Sequence, residues 1–176
     1  SQGLDQISWF SHLGEPPSPK VRRVAQLYLD RLGFPEADLA ILADYEDAAS
    51  VAETHDWSSP AWEAEELLRA DLTEAALAVM SEEAFEIGLN LVAQAAGDSA
   101  KQAAEEQASL WDMADEGALN LAVGAAVQSA HGAALALMAT AAGDQEAEEH
   151  AFAAKFQLFE LGRWPVTVIG SSFSVF

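Results

Sequence analysis

Alanine accounts for 37 of the 176 residues, and every one of them lies between Ala25 and Ala154. Alanine has the highest intrinsic helix propensity, and here it alternates with leucine, glutamate and glutamine, which lose little side-chain freedom in a helix. This stretch therefore predicts an α-helical body. Because 51% of the residues are hydrophobic, a chain of this length can bury a core in one mainly α domain.

The composition changes at both ends of the alanine-rich stretch, so we divide the predicted single domain, 1–176, into three parts. Residues 1–18 predict an irregular N-terminal arm, and residues 19–162 predict the helical body. Residues 163–176 contain no alanine and are rich in β-branched and aromatic residues, which favours an extended segment or a β-hairpin. Their apolar side chains either pack along the bundle or form an exposed tail that joins two copies into a homo-oligomer.

Start and stop residues predict a bundle of six or seven helices. The first helix is expected at 19–32, followed by Gly33, which suits a left-handed cap. A second helix is expected at 35–55, because proline is accepted at the first helical position. Further helices are expected to begin after Ser59 and after Ser81, since a serine hydroxyl caps a helix N-terminus.

A short internal match predicts αα-hairpin units within this bundle. The segment 89–98 is identical to 135–144 at seven of ten positions, and the two lie 46 residues apart. In each copy we expect a helix to end at a glycine, Gly97 or Gly143, and the next helix to begin at the following aspartate. This offset lies within the range of two-helix repeats. The alternative is two similar helix junctions in one irregular bundle.

The charge is strongly unbalanced, with 29 acidic residues, eight basic residues and a formal net charge of −21. Twelve acidic residues accompany Arg69 at 36–74, and nine accompany Lys101 at 82–116. Such a surface repels nucleic-acid phosphates and anionic membrane surfaces, so we expect no direct binding to either. The acidic residues either keep an alanine-rich protein soluble or form a docking face for a basic protein.

The docking interpretation predicts a non-catalytic cytoplasmic protein whose acidic helical face binds a basic partner, as an antitoxin or an immunity protein would. The absence of cysteine fits a reducing cytoplasm, and the N-terminus lacks the pattern of a signal peptide. The face is expected on the second and third helices and would comprise Glu46, Asp47, Glu53, Asp56, Glu63 and Glu66.

The 26 residues from 117 to 142 contain no charged side chain, which predicts a helix enclosed by its neighbours rather than a membrane span. Asn120, Gln128 and His131 would form a buried polar strip along it. The alternative function is therefore a helical enzyme, or a protein that binds a small ligand or a metal, with its site around His131. The structural alternative is a neutral histidine in a buried hydrogen-bond network.

No motif assigns a catalytic residue, a cofactor or a metal site. The sequence contains neither a Gly-x-Ser-x-Gly elbow nor a glycine-rich phosphate loop, and it has no cysteine nucleophile. Glu146 and His150 are four residues apart and could share a helix face. One carboxylate and one imidazole are too few to define a site, and Ala147 departs from the Glu-x-x-His motif of ferritin-like diiron proteins.

Overall fold

The structure is a computed structural model that describes residues 3–54, 59–110, 117–141 and 147–176. These ranges are mainly α-helical and contain six α-helices, with a small sheet completed by the C-terminal segment, as the sequence predicts. The elements are α1 (Pro19–Leu32), β1 (Asp38–Ile41), α2 (Tyr45–Glu53), α3 (Pro60–Leu77), α4 (Glu82–Leu110), α5 (Gly117–Thr140), α6 (Ala151–Glu160), β2 (Pro165–Ile169) and β3 (Ser172–Val175).

The predicted starts of three helices are confirmed, because each is fixed by a local hydrogen bond. Ser18, Ser59 and Ser81 precede α1, α3 and α4, and the hydroxyl of each accepts a hydrogen bond from the backbone N–H three residues later at 3.2 Å. Gly33 ends α1 with φ of 100°, in the left-handed region that glycine tolerates best. These helix ends depend on neighbouring residues alone, which is why the sequence predicts them well.

The predicted second helix, 35–55, is wrong in its first half. Strand β1 occupies part of that range and pairs in parallel with β3, so that Leu39 lies opposite Phe173. Helix α2 begins only at Tyr45, after Asp44 has accepted a hydrogen bond from a backbone N–H at 2.9 Å. The partner strand lies far along the chain, and a long-range pairing of this kind overrides local helix propensity.

The C-terminal hairpin is confirmed and forms part of a larger sheet. β2 and β3 pair antiparallel, and the strand order is β1-β3-β2. Phe173, Val175 and Phe176 are buried within the chain, whereas Ile169 is 44% exposed. The segment therefore packs on the bundle instead of forming an exposed apolar tail, and a homo-oligomer through this segment remains a prediction.

The predicted helix end at Gly97 is also wrong, because α4 continues through it from Glu82 to Leu110. A Cβ added at Gly97 would lie 3.6 Å from Cγ2 of Val127, so this glycine faces α5. Gly88, nearer the start of α4, faces Met138, nearer the end of α5. The reversed order shows that α4 and α5 run antiparallel and form the αα-hairpin.

The two helices of this hairpin approach closely because small residues line their contact. Alanine adds little bulk, so helix backbones can come together without a long side chain between them. The repeated motif thus marks a helix contact at Gly97, while Gly143 lies outside the described residues. The buried alanines of α4 are Ala96, Ala100 and Ala104, and those of α5 are Ala118, Ala122, Ala126, Ala130 and Ala136.

Helix α5 packs against α2, α3, α4 and α6. By length and composition alone it could cross a membrane, as can the core helix of a soluble protein. It contacts four other helices, but only 39% of its most apolar 18-residue stretch is buried, so the predicted enclosure by its neighbours holds only in part. One part of its surface, around the exposed Leu121, remains open to solvent and borders the cavity described below.

Aromatic residues attach the N-terminal arm to the bundle. Trp9 lies 6.1 Å from the ring of Phe156 and 6.0 Å from that of Phe159, and its indole N–H donates a hydrogen bond to Ser99 at 2.9 Å. The arm is therefore tied to both α6 and α4. Phe152, one turn earlier on α6, instead lies beside Arg69 of α3.

Candidate functional site

A cavity of about 770 Å³ lies between α3, α5, α6 and the start of β2, with the end of α2 at its rim. We call it the α3–α5–α6 pocket, and its volume lies in the range of small-molecule sites. Its apolar side chains are Ala52, Trp62, Leu121, Ala125, Phe152, Trp164, Pro165 and Val166. Its polar side chains are Glu53, Glu65, Glu66, Arg69, Asn120, Gln128, Ser129 and Lys155.

Two glycines of α5 shape this pocket. Gly124 lines the cavity, and a Cβ added there would have no atom within 4 Å, so the missing side chain leaves space beside the helix. At Gly132 an added Cβ would lie 3.1 Å from the ring of Phe152, so this glycine lets α6 approach closely. The uncharged helix thus supplies both the space and the close contact that define one wall.

The wall formed by α6 holds a closed polar network. Nζ of Lys155 lies 2.8 Å from Oε1 of Glu65, and the same carboxylate oxygen accepts a hydrogen bond from the hydroxyl of Tyr28. The side chains of Lys155 and Glu65 are only 23% and 15% exposed. The network connects α6, α3 and α1, and each of its three members has a partner.

The electrostatics of this network keep Glu65 ionised. Burial alone would raise the pKa of Glu65, but the charge of Lys155 and the hydrogen bonds from Lys155 and Tyr28 outweigh it, so the pKa lies below its ordinary value. Burial, and then the negative charge of Glu65, raise the pKa of Tyr28 well above its ordinary value. At neutral pH Glu65 is therefore a carboxylate and Tyr28 a neutral phenol.

Arg69 belongs to the wall formed by α3, one turn after Glu65, and is not fully paired. Its Nε lies 3.5 Å from Oε1 of Glu66, and its guanidinium carbon lies 5.0 Å from the centre of the Phe152 ring. Its Nη1 is buried, and in the part of the chain that the structure describes it has no hydrogen-bond partner. Arg69 is therefore less completely paired than Lys155.

Two more buried polar atoms lie near this wall. Ser129 of α5 is 5% exposed and lines the pocket, and its Oγ has no hydrogen-bond partner among the described residues; the same holds for Nδ1 of His131. Burial, and then the charge of Arg69, lower the pKa of His131, so its imidazole is neutral at pH 7.

The predicted strip of Asn120, Gln128 and His131 on α5 is not buried as expected, because Asn120 and Gln128 are exposed. These two residues line the pocket, whereas His131 lies outside the lining and within electrostatic range of Arg69. The sequence interpretation missed Arg69 and Ser129 as pocket residues. The available signal was that Arg69 is the one basic residue in the acidic stretch 36–74.

The residues of the predicted acidic face divide into two groups. Some are exposed on the surface of α2 and α3, and in the described ranges no basic side chain lies within ion-pairing distance of them. Others border the pocket, where one of them pairs with Arg69. The exposed residues away from the pocket are Glu46, Asp47 and Glu63; those that line the pocket are the exposed Glu53 and the half-buried Glu66; Asp56 lies outside the described residues.

The described ranges contain no group of three or more histidine, aspartate and glutamate side chains placed to hold a metal ion. His150 is the N-cap of α6, and its Nδ1 accepts a hydrogen bond from the backbone N–H of Phe152 at 3.0 Å. That lone pair is therefore already used. Glu146, its possible partner in the sequence, lies outside the described residues.

No family model, curated protein or solved structure matches this chain. The pocket and the distribution of charge are therefore the features from which a function can be proposed.

Proposed function

We propose that the protein binds a small, largely apolar organic molecule in the α3–α5–α6 pocket. The observation that carries this proposal is a cavity of about 770 Å³ with aromatic and aliphatic walls and a few polar groups, which is typical of small-molecule sites. Among the walls are three large aromatic side chains, those of Trp62, Phe152 and Trp164. A ligand that covers them removes apolar surface from water, at about 25 cal/mol for each Å².

The exposed part of α5 supports the same proposal. Leu121 is 51% exposed at the pocket, beside the exposed polar side chains of Asn120 and Gln128. Exposed apolar surface next to a concave site is a common feature of binding sites. A bound molecule would cover Leu121, while the two amide side chains could hydrogen-bond to its polar atoms.

The polar groups of the pocket favour binding over hydrolysis. A serine nucleophile needs a base within hydrogen-bond reach, and Oγ of Ser129 has no such partner among the described residues. Lys155 and Glu65 are paired with each other, so neither is poised as a general base. This arrangement can orient a ligand without activating it.

The test uses N-phenylnaphthylamine, a neutral dye whose fluorescence rises in apolar surroundings. Gly124→Trp fills the pocket from a position where an added Cβ meets open space. Leu137→Trp adds the same side chain to the same helix outside the pocket, at a residue that is 62% exposed. We expect the wild type and Leu137→Trp to bind the dye and Gly124→Trp to lose at least about tenfold in affinity.

Circular dichroism and thermal unfolding establish that each variant is folded. Failure of the wild-type protein to bind the dye would contradict the proposal. Equal dye affinity in the wild type and in folded Gly124→Trp would contradict it as well, because the dye would then bind elsewhere.

We propose, as a second candidate function, that the acidic face binds a basic protein in the cytoplasm, in the manner of an antitoxin or an immunity protein. The observation that favours it is the exposure of Glu46, Asp47 and Glu63 on two consecutive helices, with no Lys or Arg within 4.0 Å in the described ranges. Unpaired surface carboxylates can steer a cationic partner by electrostatic complementarity.

A pair of charge-matched variants tests this second proposal. The first neutralises Glu46, Asp47 and Glu63, and the second neutralises three exposed acids at the start of α4, Glu82, Glu83 and Glu86. Affinity capture from cell extract at low salt should recover a basic protein with the wild type and with the second variant only. Loss of the partner at high salt is expected, because salt screens exposed charges. Equal capture of the basic protein by both variants would contradict this second proposal.

A further inference from the structure

The charges that line the α3–α5–α6 pocket indicate the chemical class of its ligand, an inference that rests on the function proposed first. We propose that the pocket takes an amphipathic monocation, an ammonium ion attached to an aromatic or medium-length alkyl body. The negative charge of Glu53 and Glu66 selects the ammonium group, and the apolar body lies against the apolar side chains of the cavity.

Carboxylates outnumber cations among the residues that line the pocket. The glutamates are Glu53, Glu65 and Glu66, and the cations are Arg69 and Lys155. Lys155 and Glu65 are paired at 2.8 Å and are only 23% and 15% exposed, so their charges largely cancel within the pocket. Two carboxylates then remain against one guanidinium. The net charge of the lining is negative, which favours a positively charged ligand over an anion.

The two remaining carboxylates are also more accessible than the remaining cation. Glu53 is exposed at the end of α2, and in the described ranges no Lys or Arg lies within 4.0 Å of its carboxylate. The side chain of Glu66 is 44% exposed, against 26% for Arg69. The guanidinium lies beside the Phe152 ring, and its Nη1 is buried. The charge that the pocket presents to solvent is therefore carried mainly by carboxylates.

An aromatic side chain accompanies one of these carboxylates. Trp62 and Glu66 are four residues apart on α3, which places them on the same face of the helix, and both line the pocket. The face of an indole ring attracts a cation, and a carboxylate accepts a charge-assisted hydrogen bond from an ammonium. Leu121, 51% exposed, and the half-buried Val166 offer apolar surface to the rest of the ligand.

A second positive charge on the ligand is disfavoured. Arg69 and Lys155 also line the cavity and would repel it, because like charges at short range raise the energy of the complex. Along the apolar lining a charge would lose its water without gaining a partner, which is costly. The ligand is therefore a monocation whose charge stays near Glu53 and Glu66.

The charge of the whole chain acts in the same direction but is not specific to the pocket. With 29 acidic and eight basic residues, the formal net charge is −21, which attracts cations to the surface in general. At physiological ionic strength this attraction is screened beyond about 8 Å. The titrations are therefore made at that ionic strength, with a control for acids outside the pocket.

The experiment compares naphthylmethylamine with naphthylmethanol, which share one ring system and differ in an ammonium group or a neutral hydroxyl. Isothermal titration calorimetry with the full chain at pH 7 measures both ligands directly. We expect the wild type to bind the amine about tenfold more tightly than the alcohol, as one charge-assisted contact and one cation–π contact give. In the double variant Glu53→Gln with Glu66→Gln the ratio should fall to about one, with the affinity for the alcohol retained.

Three further variants separate recognition in the pocket from other effects. Glu105→Gln with Glu106→Gln removes two exposed acids of α4 outside the pocket and should leave the ratio within about twofold of wild type. Arg69→Met removes a positive charge from the lining and should raise the ratio about threefold. Glu53→Gln alone changes an exposed residue, so it should fold even if the double variant does not, and should lower the ratio about threefold.

Equal affinity of the wild type for the two ligands, or a preference for the alcohol, would overturn the monocation inference. An equal fall of the ratio in the pocket variant and in the α4 variant would overturn it too, because the preference would then come from the general charge. The proposed function fails separately, when neither the neutral dye nor naphthylmethanol binds. Binding of the amine alone, lost in Glu53→Gln with Glu66→Gln, would support the monocation inference while showing that the apolar walls are insufficient for binding.

Discussion

The two cations that line the α3–α5–α6 pocket have opposite surroundings. Lys155 of α6 lies 2.8 Å from Glu65, which also accepts a hydrogen bond from Tyr28. Arg69 of α3 has a longer 3.5 Å contact with Glu66 and lies beside the Phe152 ring, and its buried Nη1 has no hydrogen-bond partner in the described residues. Lys155 is therefore more completely paired than Arg69.

This difference separates a paired buried charge from one that is only partly paired. A buried ion pair with full hydrogen bonding fixes the geometry of the elements that carry it, and removing one partner leaves an uncompensated charge. A buried donor without a partner costs stability, because it has lost its water without gaining an acceptor. Lys155 is therefore expected to stabilise the fold more than Arg69 does.

The largest expected effect on stability is at Lys155, which is paired with Glu65. Lys155→Met should lower the free energy of unfolding by about 3–5 kcal/mol, because it leaves Glu65 buried without its cation. Chemical denaturation at pH 7 measures this change. The double variant Lys155→Met with Glu65→Gln should recover much of the loss; a single variant as stable as wild type would show that the wall formed by α6 is not held by its charges.

The pH dependence of stability sharpens the same side of the comparison. The pKa of Glu65 is lower in the folded protein than in the unfolded chain, so its contribution is fully present above the unfolded value of about 4.3 and is lost as the pH falls through the folded value. Denaturation of wild type and Glu65→Gln at each pH isolates this group from the other acids. The stability difference should shrink as the pH falls below about 5, and a constant difference would contradict the paired state.

Replacing Arg69 should change the free energy of unfolding much less than replacing Lys155. Arg69→Met loses a partly exposed ion pair and a contact with the Phe152 ring, but it also removes a buried donor that lacks a partner. These terms oppose one another, so we expect a net change within about 1 kcal/mol. Denaturation of Arg69→Met and Lys155→Met under the same conditions measures both changes in the free energy of unfolding. Equal losses of stability would contradict the expected difference between the two cations.

The smallest effect is expected at Ser129. Replacing it with alanine removes a buried hydroxyl without a partner in the described chain and introduces a better helix former into α5. Ser129→Ala should therefore raise the free energy of unfolding by up to about 0.5 kcal/mol. A destabilised variant would show that the hydroxyl has a structural role, and thermal unfolding with a full baseline can resolve the sign.

The sequence predicts two residues of the pocket and misses two others. Asn120 and Gln128 were accessible to it because both lie on one uncharged helix, where spacing alone brings them to a common side. Arg69 and Ser129 line the same pocket only because α3 packs against α5, a contact that helical periodicity does not encode. The position of His131 on its helix could be predicted from the sequence. Its electrostatic interaction with Arg69 could not, because that depends on how the helices pack.

Local chemistry was sufficient for the helical body and for the ends of its helices. Alanine content set the helical body, and single residues such as Ser18, Ser59 and Gly33 fixed ends through hydrogen bonds or backbone angles that involve only near neighbours. Tertiary structure decided the remainder, because it depends on partners far apart in the chain. Strand β1 formed against β3, α4 continued through Gly97 against α5, and the pocket arose where Gly124 left space between packed helices.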